Sequence, residues 1–398
     1  MTGTSMDALD VVIVGLSLEE IQDHYKEASE WTIRREEAAR FKLIAKASAD
    51  IPQTLREELE LCIELGSQID PNQPVKDTLS FASAPNFFEK LLTAQRKLTE
   101  LAGDVFQQCL VNATNELGFQ PIIAACGCHG QTIYHMPAYS SWQLFDSALF
   151  AVRNKVKVIS QFRDRDIAHG GQGAPLVPKF HEFLFRKTAT DSCVVNIGGI
   201  ANISAWKDRL VGWDIGPGNR LLDAWVQRYF NASYDKDGTI AKSGSINHEL
   251  LKLLQSEPYF AEKGAKSTGR ERFNLNWLFD FEEHSDTGSL HELPKEDVLA
   301  TLTELSAWSI GGAVTELRVE NLILCGGGAK NAYLVERIDK YTPGILIKTA
   351  EAFGFDSQMI EGMAFAFFAA LYDLRICGAI ASVTGASQDS ICGTAFEP

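Results

Sequence analysis

The sequence predicts an α/β protein of two domains with a ligand cleft between them. Its 398 residues exceed the size at which a single hydrophobic core usually stops growing. Short apolar runs recur and end in polar or glycine-rich turns, and helical apolar periodicity fills the intervals between them. Hydrophobic residues make up 45% of the chain and charged residues 22%, the range of an ordinary globular protein.

The elements follow in order. Ala8 to Leu16 reads as a buried strand and Phe41 to Ala47 as a second, separated by a charged stretch. Helical patterning dominates from Gln53 to Leu117, punctuated by Pro71, Pro74 and Pro85. Ile122 to Cys128 and Val156 to Ser160 read as short strands. They stop in His129-Gly130-Gln131-Thr132 and in Gln161 to Asp166, polar strand ends of the kind where open α/β sheets bind ligands. Ser192 to Val195, the turn Asn196-Ile197-Gly198-Gly199 and Ala201 to Ser204 predict a hairpin, and Arg209 to Trp213 a strand leading into a turn that carries Asp214. A helix follows from Asn219, with Leu221, Leu222, Trp225, Val226 and Tyr229 on one face. Val298 to Val319 is helical, Leu322 to Cys325 is a strand, and the Gly326 turn opens a helix at Asn331. Met359 to Leu374 is an apolar helix interrupted by Glu361.

A formal charge of −15 and a pI near 5.1 exclude the basic face of a nucleic-acid binder. The eight cysteines show no framework spacing, so reduced thiols are expected. Cys126-Gly127-Cys128-His129 has no second Cys/His pair at zinc spacing, and no structural metal is expected there. Neither a signal region nor a bilayer-length apolar run is visible, which predicts a cytoplasmic, soluble protein without a membrane partner.

Three glycine turns have the composition of phosphate cradles. In Gly3-Thr4-Ser5-Met6-Asp7 the small residues admit a phosphate, the Thr4 and Ser5 hydroxyls donate, and Asp7 is suited to the water shell of Mg²⁺; a hairpin turn is the plainer alternative. Gly198 and Gly199 form the second. Gly326, Gly327 and Gly328, followed by Asn331, fit an anion or nucleoside at a helix N-terminus, or a tight strand-to-helix connection. Asp214, ahead of Gly216-Pro217-Gly218, is placed for general-base work or for satisfying nearby amides. Arg163, Arg165 and Asp166 lead into Gly170-Gly171-Gln172-Gly173-Ala174-Pro175, a loop suited to a sugar or carboxylate, or else a surface ion-pair cluster. Lys266 to Glu271 contacts phosphate or is solvated. Glu361, among Met363, Phe365, Phe367 and Phe368, needs a partner or a ligand, and His129 either meets a ligand or is satisfied internally.

In this order the turns resemble the nucleotide-binding segments of the acetate and sugar kinase, chaperone ATPase and actin superfamily. Within it the chain resembles the 1,6-anhydro-N-acetylmuramic acid kinase family nearly end to end. The resemblance is carried by Thr2 to Asp7, Cys128-His129-Gly130-Gln131-Thr132, Gly170 to Leu176, Asn196 to Asn202, Asp214 with Gly216 to Asn219, Lys266 to Glu271, Cys325 to Gly328 and Val383-Thr384-Gly385-Ala386. It implies two ribonuclease-H-like domains with mixed sheets flanked by helices and an interdomain active-site cleft. The expected lobes are 1–160 with 375–398, and 161–374. It also implies an ATP- and Mg²⁺-dependent kinase of peptidoglycan recycling, usually a homodimer, that converts an anhydro amino sugar to N-acetylmuramic acid 6-phosphate.

By the same resemblance Asp214 is the catalytic base. The resemblance gives Gly3, Thr4, Ser5 and Asp7 and the turn of Gly326, Gly327 and Gly328 to ATP, and the reading of the residues adds Gly198, Gly199 and Asn331 to that site and places Asp7 on the metal. The resemblance gives the sugar to Arg165 and Glu361, and the polar strand-end loops add His129, Gln131, Arg163 and Asp166 as expected sugar contacts. The chain departs from the family pattern at Ala8, Gln161 and Phe145-Asp146, where the family favours Gly, Asp and Gly-Asp or Gly-Asn. Phe145 would add a large ring where the family brings backbone close. An apolar strand that family members carry ahead of the Gly3 turn is not seen before Met1, which would leave Ala8 to Leu16 without a partner on one edge. Two alternatives to the expected activity are a kinase for another anhydro or reducing sugar and an inactive nucleotide-dependent regulatory protein.

Overall fold

A computed structural model describes residues 8–26, 41–67, 87–268, 272–282 and 290–398. Gly3, Thr4, Ser5 and Asp7 lie outside the described residues, as do the prolines at 71, 74 and 85 and the segment 269–271. The chain divides into two compact units, one of 1–173, 361–379 and 386–398, the other of 174–360 and 380–385. Residues 161–173 and the helix after Ile360 thus group with the first unit, because that helix packs onto the strand before His129: a side chain at Gly127 would run into the Phe365 carbonyl oxygen. Phe365 also packs at a tilt against Phe162, with ring centroids 5.0 Å apart.

In the first unit β1 (Ala8–Gly15) pairs antiparallel with β2 (Lys42–Asp50). Strand β3 is only Cys126–Gly127, shorter than the expected run from Ile122, since Ile122 is 97% exposed and the chain reaches its sheet only at Cys126. A two-stranded hairpin follows, β4 (Gln131–Met136) with β5 (Ser140–Leu144). Strand β6 (Val158–Ser160) lies between β3, which it parallels, and the closing strand Thr394–Phe396. The expected helical stretch resolves into Gln53–Ser67 and Phe87–Leu117. The longer helix sends Leu91, Leu98, Ala102, Val105 and Phe106 into a core shared with Leu9, Leu59, Leu144, Phe150 and Val158.

In the second unit β7 (Ser192–Ile197), β8 (Ile200–Trp206) and β9 (Leu210–Pro217) form an antiparallel meander, and β10 (Asn321–Cys325) and β11 (Leu346–Thr349) add in parallel on the other side of β7. The order β9-β8-β7-β10-β11 is the ribonuclease-H-like arrangement. The first unit repeats its pieces, an antiparallel β1–β2 pair and a parallel β3–β6 pair. Among the described residues no strand stands where β7 stands, so β1 pairs on one edge only. Alternation sorts the β8 side chains: Ala201, Ile203 and Ala205 enter a core with Ile310, Val314, Leu324 and Leu334, while Asn202 and Ser204 take the opposite face.

Two helices of this unit are tied by a buried ion pair. Arg337, on Ala332–Tyr341, forks onto Glu304, on Lys295–Leu317, with Nη2 to Oε1 at 2.6 Å, and the Tyr341 hydroxyl donates to the same oxygen at 2.7 Å. The Glu304 side chain is 4% exposed, so removing one partner strands a charge away from water. Arg337→Ala is expected to lower stability by about 3–5 kcal/mol, seen as a fall in the urea midpoint, whereas an Arg337→Leu/Glu304→Leu double variant recovers most of the loss.

Candidate active site

Strand β9 extends through Asp214 to Pro217, so Asp214 sits within a strand rather than in the turn the sequence predicts. Pairing with β8 continues past it because the register shifts: Ala201 faces Gly216, Asn202 faces Asp214, and Ile215 is left over as a bulge. Such a bulge bends the strand and re-aims the neighbouring side chain. Ile215 enters the core, and Asp214 emerges on the face of Asn202 and Ser204.

Asp214 is 7% exposed and held from three directions. Its N–H donates to Lys266 O at 3.0 Å. Its carbonyl accepts the Tyr259 hydroxyl at 2.7 Å. Its Oδ2 accepts the Ser267 hydroxyl and the Thr268 N–H, each at 3.0 Å. Lys266 donates in turn to Tyr259 O at 2.8 Å, with Nζ 4.2 Å from the Tyr259 ring centroid, and burial lowers its pKa below the usual lysine value. Residues 266–268 therefore support the aspartate, with Lys266 and Thr268 buried and Ser267 partly buried rather than solvated, while 269–271 of that loop lie outside the described residues.

The glycine turns of this unit meet one another. Gly218 N donates to Gly199 O at 2.9 Å and Asn219 N to Gly198 O at 2.8 Å, and a side chain at Gly218 would strike the Gly198 carbonyl. Gly326, at φ +80°, has no room for a Cβ beside Asn196 Oδ1 and Ile197 O, and Gly328 has none beside Ile197 and Asn219. Packing explains these glycines. It does not explain two others, since among the described residues a Cβ at Gly198 would meet only Ile200 O at 3.5 Å and one at Gly327 only Asn219 Nδ2 at 3.7 Å. Asn331 caps the helix that follows, its Oδ1 accepting from Leu334 N at 3.0 Å. Beneath the turns a chain of polar groups escaped sequence reasoning, because His181 lies inside a helix with no motif around it. His181 Nδ1 meets Ser204 Oγ at 2.8 Å, its Nε2 lies 3.9 Å from Cys325 Sγ, and Cys325 lies 3.7 Å from Asn196 Oδ1. Burial lowers the His181 pKa to about 3, which keeps the ring neutral.

In the first unit Arg163 links the sugar-side residues. Its Nη1 donates to Gly173 O at 2.7 Å and its Nη2 meets His129 Nε2 at 3.0 Å. An arginine only donates, so Nε2 is the acceptor and the proton sits on Nδ1, which donates to Gly130 O at 2.9 Å. Burial, followed by the adjacent Arg163 charge, lowers the His129 pKa well below the ordinary histidine value. Asp166, 1% exposed, accepts from Gly173 N at 2.8 Å and shapes the glycine loop from inside, while Arg165 is exposed. Gln131 is buried and donates to Thr132 O at 3.1 Å; its Oε1 has no hydrogen-bond partner among the described residues. Gln161 adopts φ +56°, a conformation in which Asp and Asn are enriched. Phe145 turns its ring toward the core, 5.6 Å from Phe150, and Asp146 caps the following helix through Leu149 N at 2.9 Å.

Glu361 is partly buried, and desolvation raises its pKa, outweighing the Arg163 charge that lowers it. A raised carboxyl pKa means that ionisation costs the folded state stability. Below the ordinary value of 4.5 the carboxyl is neutral folded and unfolded, and Glu361→Gln and the parent are expected to be equally stable. As pH rises through the raised pKa the parent loses stability relative to Glu361→Gln. Melting temperatures measured across that range check the sign, and a parent that gains on the variant with rising pH contradicts it.

A family model described as anhydro-N-acetylmuramic acid kinase matches residues 1–398. Curated relatives carrying that same name include one from Hahella chejuensis, 41% identical over 314 residues, covering 77% of this chain and 83% of the relative. Another, from Shewanella sediminis, is 36% identical over 404 residues, covering 100% of this chain and 97% of the relative. A third, from Pseudomonas syringae pv. tomato, is 37% identical over 402 residues, with coverage of 100% and 97%. The match spans the Asp214 strand, the glycine turns and the His129–Arg163 pair alike, and the chain belongs to the anhydro-N-acetylmuramic acid kinase family, which makes it a sugar kinase.

Proposed function

We propose that the protein uses ATP and water to convert 1,6-anhydro-N-acetylmuramic acid to N-acetylmuramic acid 6-phosphate in peptidoglycan recycling. The observation that carries the reading is the Asp214 carboxylate, buried on a sheet face with Oδ2 held by Ser267 and Thr268, in a chain that matches the family throughout. Held this way, the carboxylate keeps its orientation without having to be ordered at the moment of reaction. Asp214 takes a proton from water as the water oxygen bonds to the anomeric carbon. The bond from that carbon to the bridging oxygen breaks, and the bridging oxygen attacks the γ-phosphorus as the bond to ADP breaks. The phosphoryl group thus takes the leaving oxygen, in place of an acid.

Gly198 and Gly327, whose Cα faces are open, suit the close approach of a nucleotide, and the Asn331-capped helix end suits its negative charge. The fit to Mg²⁺ is the usual one of a carboxylate beside the nucleotide's own phosphates; Asp7 is the residue proposed to hold it. When bound, the ion neutralises phosphate charge. His129 and Arg163, with Gln131, Arg165, Asp166 and Glu361, are proposed to bind or frame the sugar. Neutral His129, with Nε2 occupied by Arg163, keeps the guanidinium oriented. A homodimer and a cytoplasmic place of action follow from the family resemblance; among the described residues no helix is long and apolar enough to cross a membrane.

The direct test incubates the protein with Mg-ATP and the anhydro sugar and follows the 6-phosphate by mass spectrometry; absence of product while a related kinase turns over refutes the reading. Asp214→Asn is expected to abolish turnover while ATP affinity, read by calorimetry, stays within about twofold. Gly327→Ala introduces a methyl with no protein atom nearer than 3.7 Å, so the melting temperature should hold while ATP affinity drops about tenfold, or ~1.4 kcal/mol. Unchanged affinity would remove Gly327 from the nucleotide site.

A further inference from the structure

Two residues that border Asp214 each carry a buried oxygen with no hydrogen-bond partner among the described residues. Asn202 and Asp214 stand directly opposite on β8 and β9, so their side chains share a face with Cβ atoms about 4.5–5.5 Å apart. Thr268, whose N–H donates to Asp214 Oδ2 at 3.0 Å, borders the same carboxylate and is 7% exposed. Thr268 Oγ1 and Asn202 Oδ1 are both shielded from solvent and lack hydrogen-bond partners among the described residues. Native proteins rarely leave such atoms unmatched without a water or ligand to fill the gap. Here the two residues that carry them border one carboxylate.

We propose that Asn202 and Thr268 hold the attacking water against Asp214. The inference rests on the reaction proposed above and adds two catalytic residues to it. The donor and acceptor count of a water molecule fits the three groups. One O–H points to the Asp214 carboxylate and the other to Asn202 Oδ1. One lone pair accepts the Thr268 hydroxyl, and the second remains for the anomeric carbon. In the reaction the new bond joins the water oxygen to that carbon, the carbon's bond to the bridging oxygen breaks, and the proton passes to Asp214. The bridging oxygen leaves with its electron pair to the γ-phosphorus as ADP departs. Asn202 and Thr268 exchange no proton; they aim the lone pair, a geometric task in which one lost hydrogen bond is costly.

The test is Thr268→Val, which removes the hydroxyl while keeping the side-chain shape and the backbone donor to Asp214. Its kcat is expected to fall about 10- to 100-fold, with KM for ATP and melting temperature unchanged, and Thr268→Ser restores kcat to within about threefold. Asn202→Leu should show the same split between kcat and KM by an independent route. Thr268→Val at the parental kcat, or a loss of rate that tracks a loss of melting temperature and is not restored in Thr268→Ser, overturns the inference. An inactive parent protein refutes the underlying reaction and this proposal with it. A parent that turns over with Thr268→Val unaffected refutes the water site alone.

Discussion

The second unit depends on how closely three chain turns approach at the ends of β7, β9 and β10. Gly218 lies against the Gly198 carbonyl, and Gly326 and Gly328 lie against Asn196, Ile197 and Asn219, with no space for a β-carbon. These contacts draw the turns at the ends of β7, β9 and β10 together at distances that only a residue without a side chain allows. Any side chain there would separate the strands, and Asn219, Asn331 and Asp214 would lose the positions that the strand ends set. Gly198 and Gly327 are free of this demand among the described residues, so packing there does not account for a residue that costs chain entropy.

The chemistry rests on controlled burial of polar groups. Asp214 enters the folded state with one carboxylate oxygen taken by Ser267 and Thr268, and its backbone is clamped through Lys266 and Tyr259. In the first unit Arg163 faces a histidine that burial and charge hold neutral, so the pair forms a hydrogen bond where two cations would repel. Asp166 turns inward to the Gly173 amide. Of the residues expected to meet a sugar, Asp166 supports its glycine loop from inside, while Gln131 keeps a buried oxygen without a hydrogen-bond partner among the described residues.

Much of the second unit was legible because its signals are local. A glycine turn between two short apolar runs specifies a hairpin, and Asn331 after the triple glycine specifies a helix start, which the structure places one residue on at Ala332. The Asp214 strand was misjudged for the opposite reason. Gly216-Pro217-Gly218 has turn composition, yet pairing with Ile200 and Ala201 carries the strand through it by means of a bulge, and pairing is a property of two segments. Ile122 to Ala125 shows the converse: an apolar run without a neighbouring strand stays outside the sheet. His181 carried no sequence signal, and Thr268 only that of the loop it lies in, because their importance comes from what they touch.

The sequence by itself determined the α/β class, the hairpin and helix starts around the glycine turns, the family, and the residue types able to do the chemistry. Each of these follows from local composition, periodicity or motif order. Only the tertiary structure decided which glycines are required by packing, which groups hold Asp214 Oδ2, and which ring nitrogen of His129 carries the proton. It also decided that Asn202 and Thr268, 66 positions apart by their numbering, border the same carboxylate. Those outcomes depend on atoms from distant segments meeting at hydrogen-bonding distance, a relation fixed by strand register and burial.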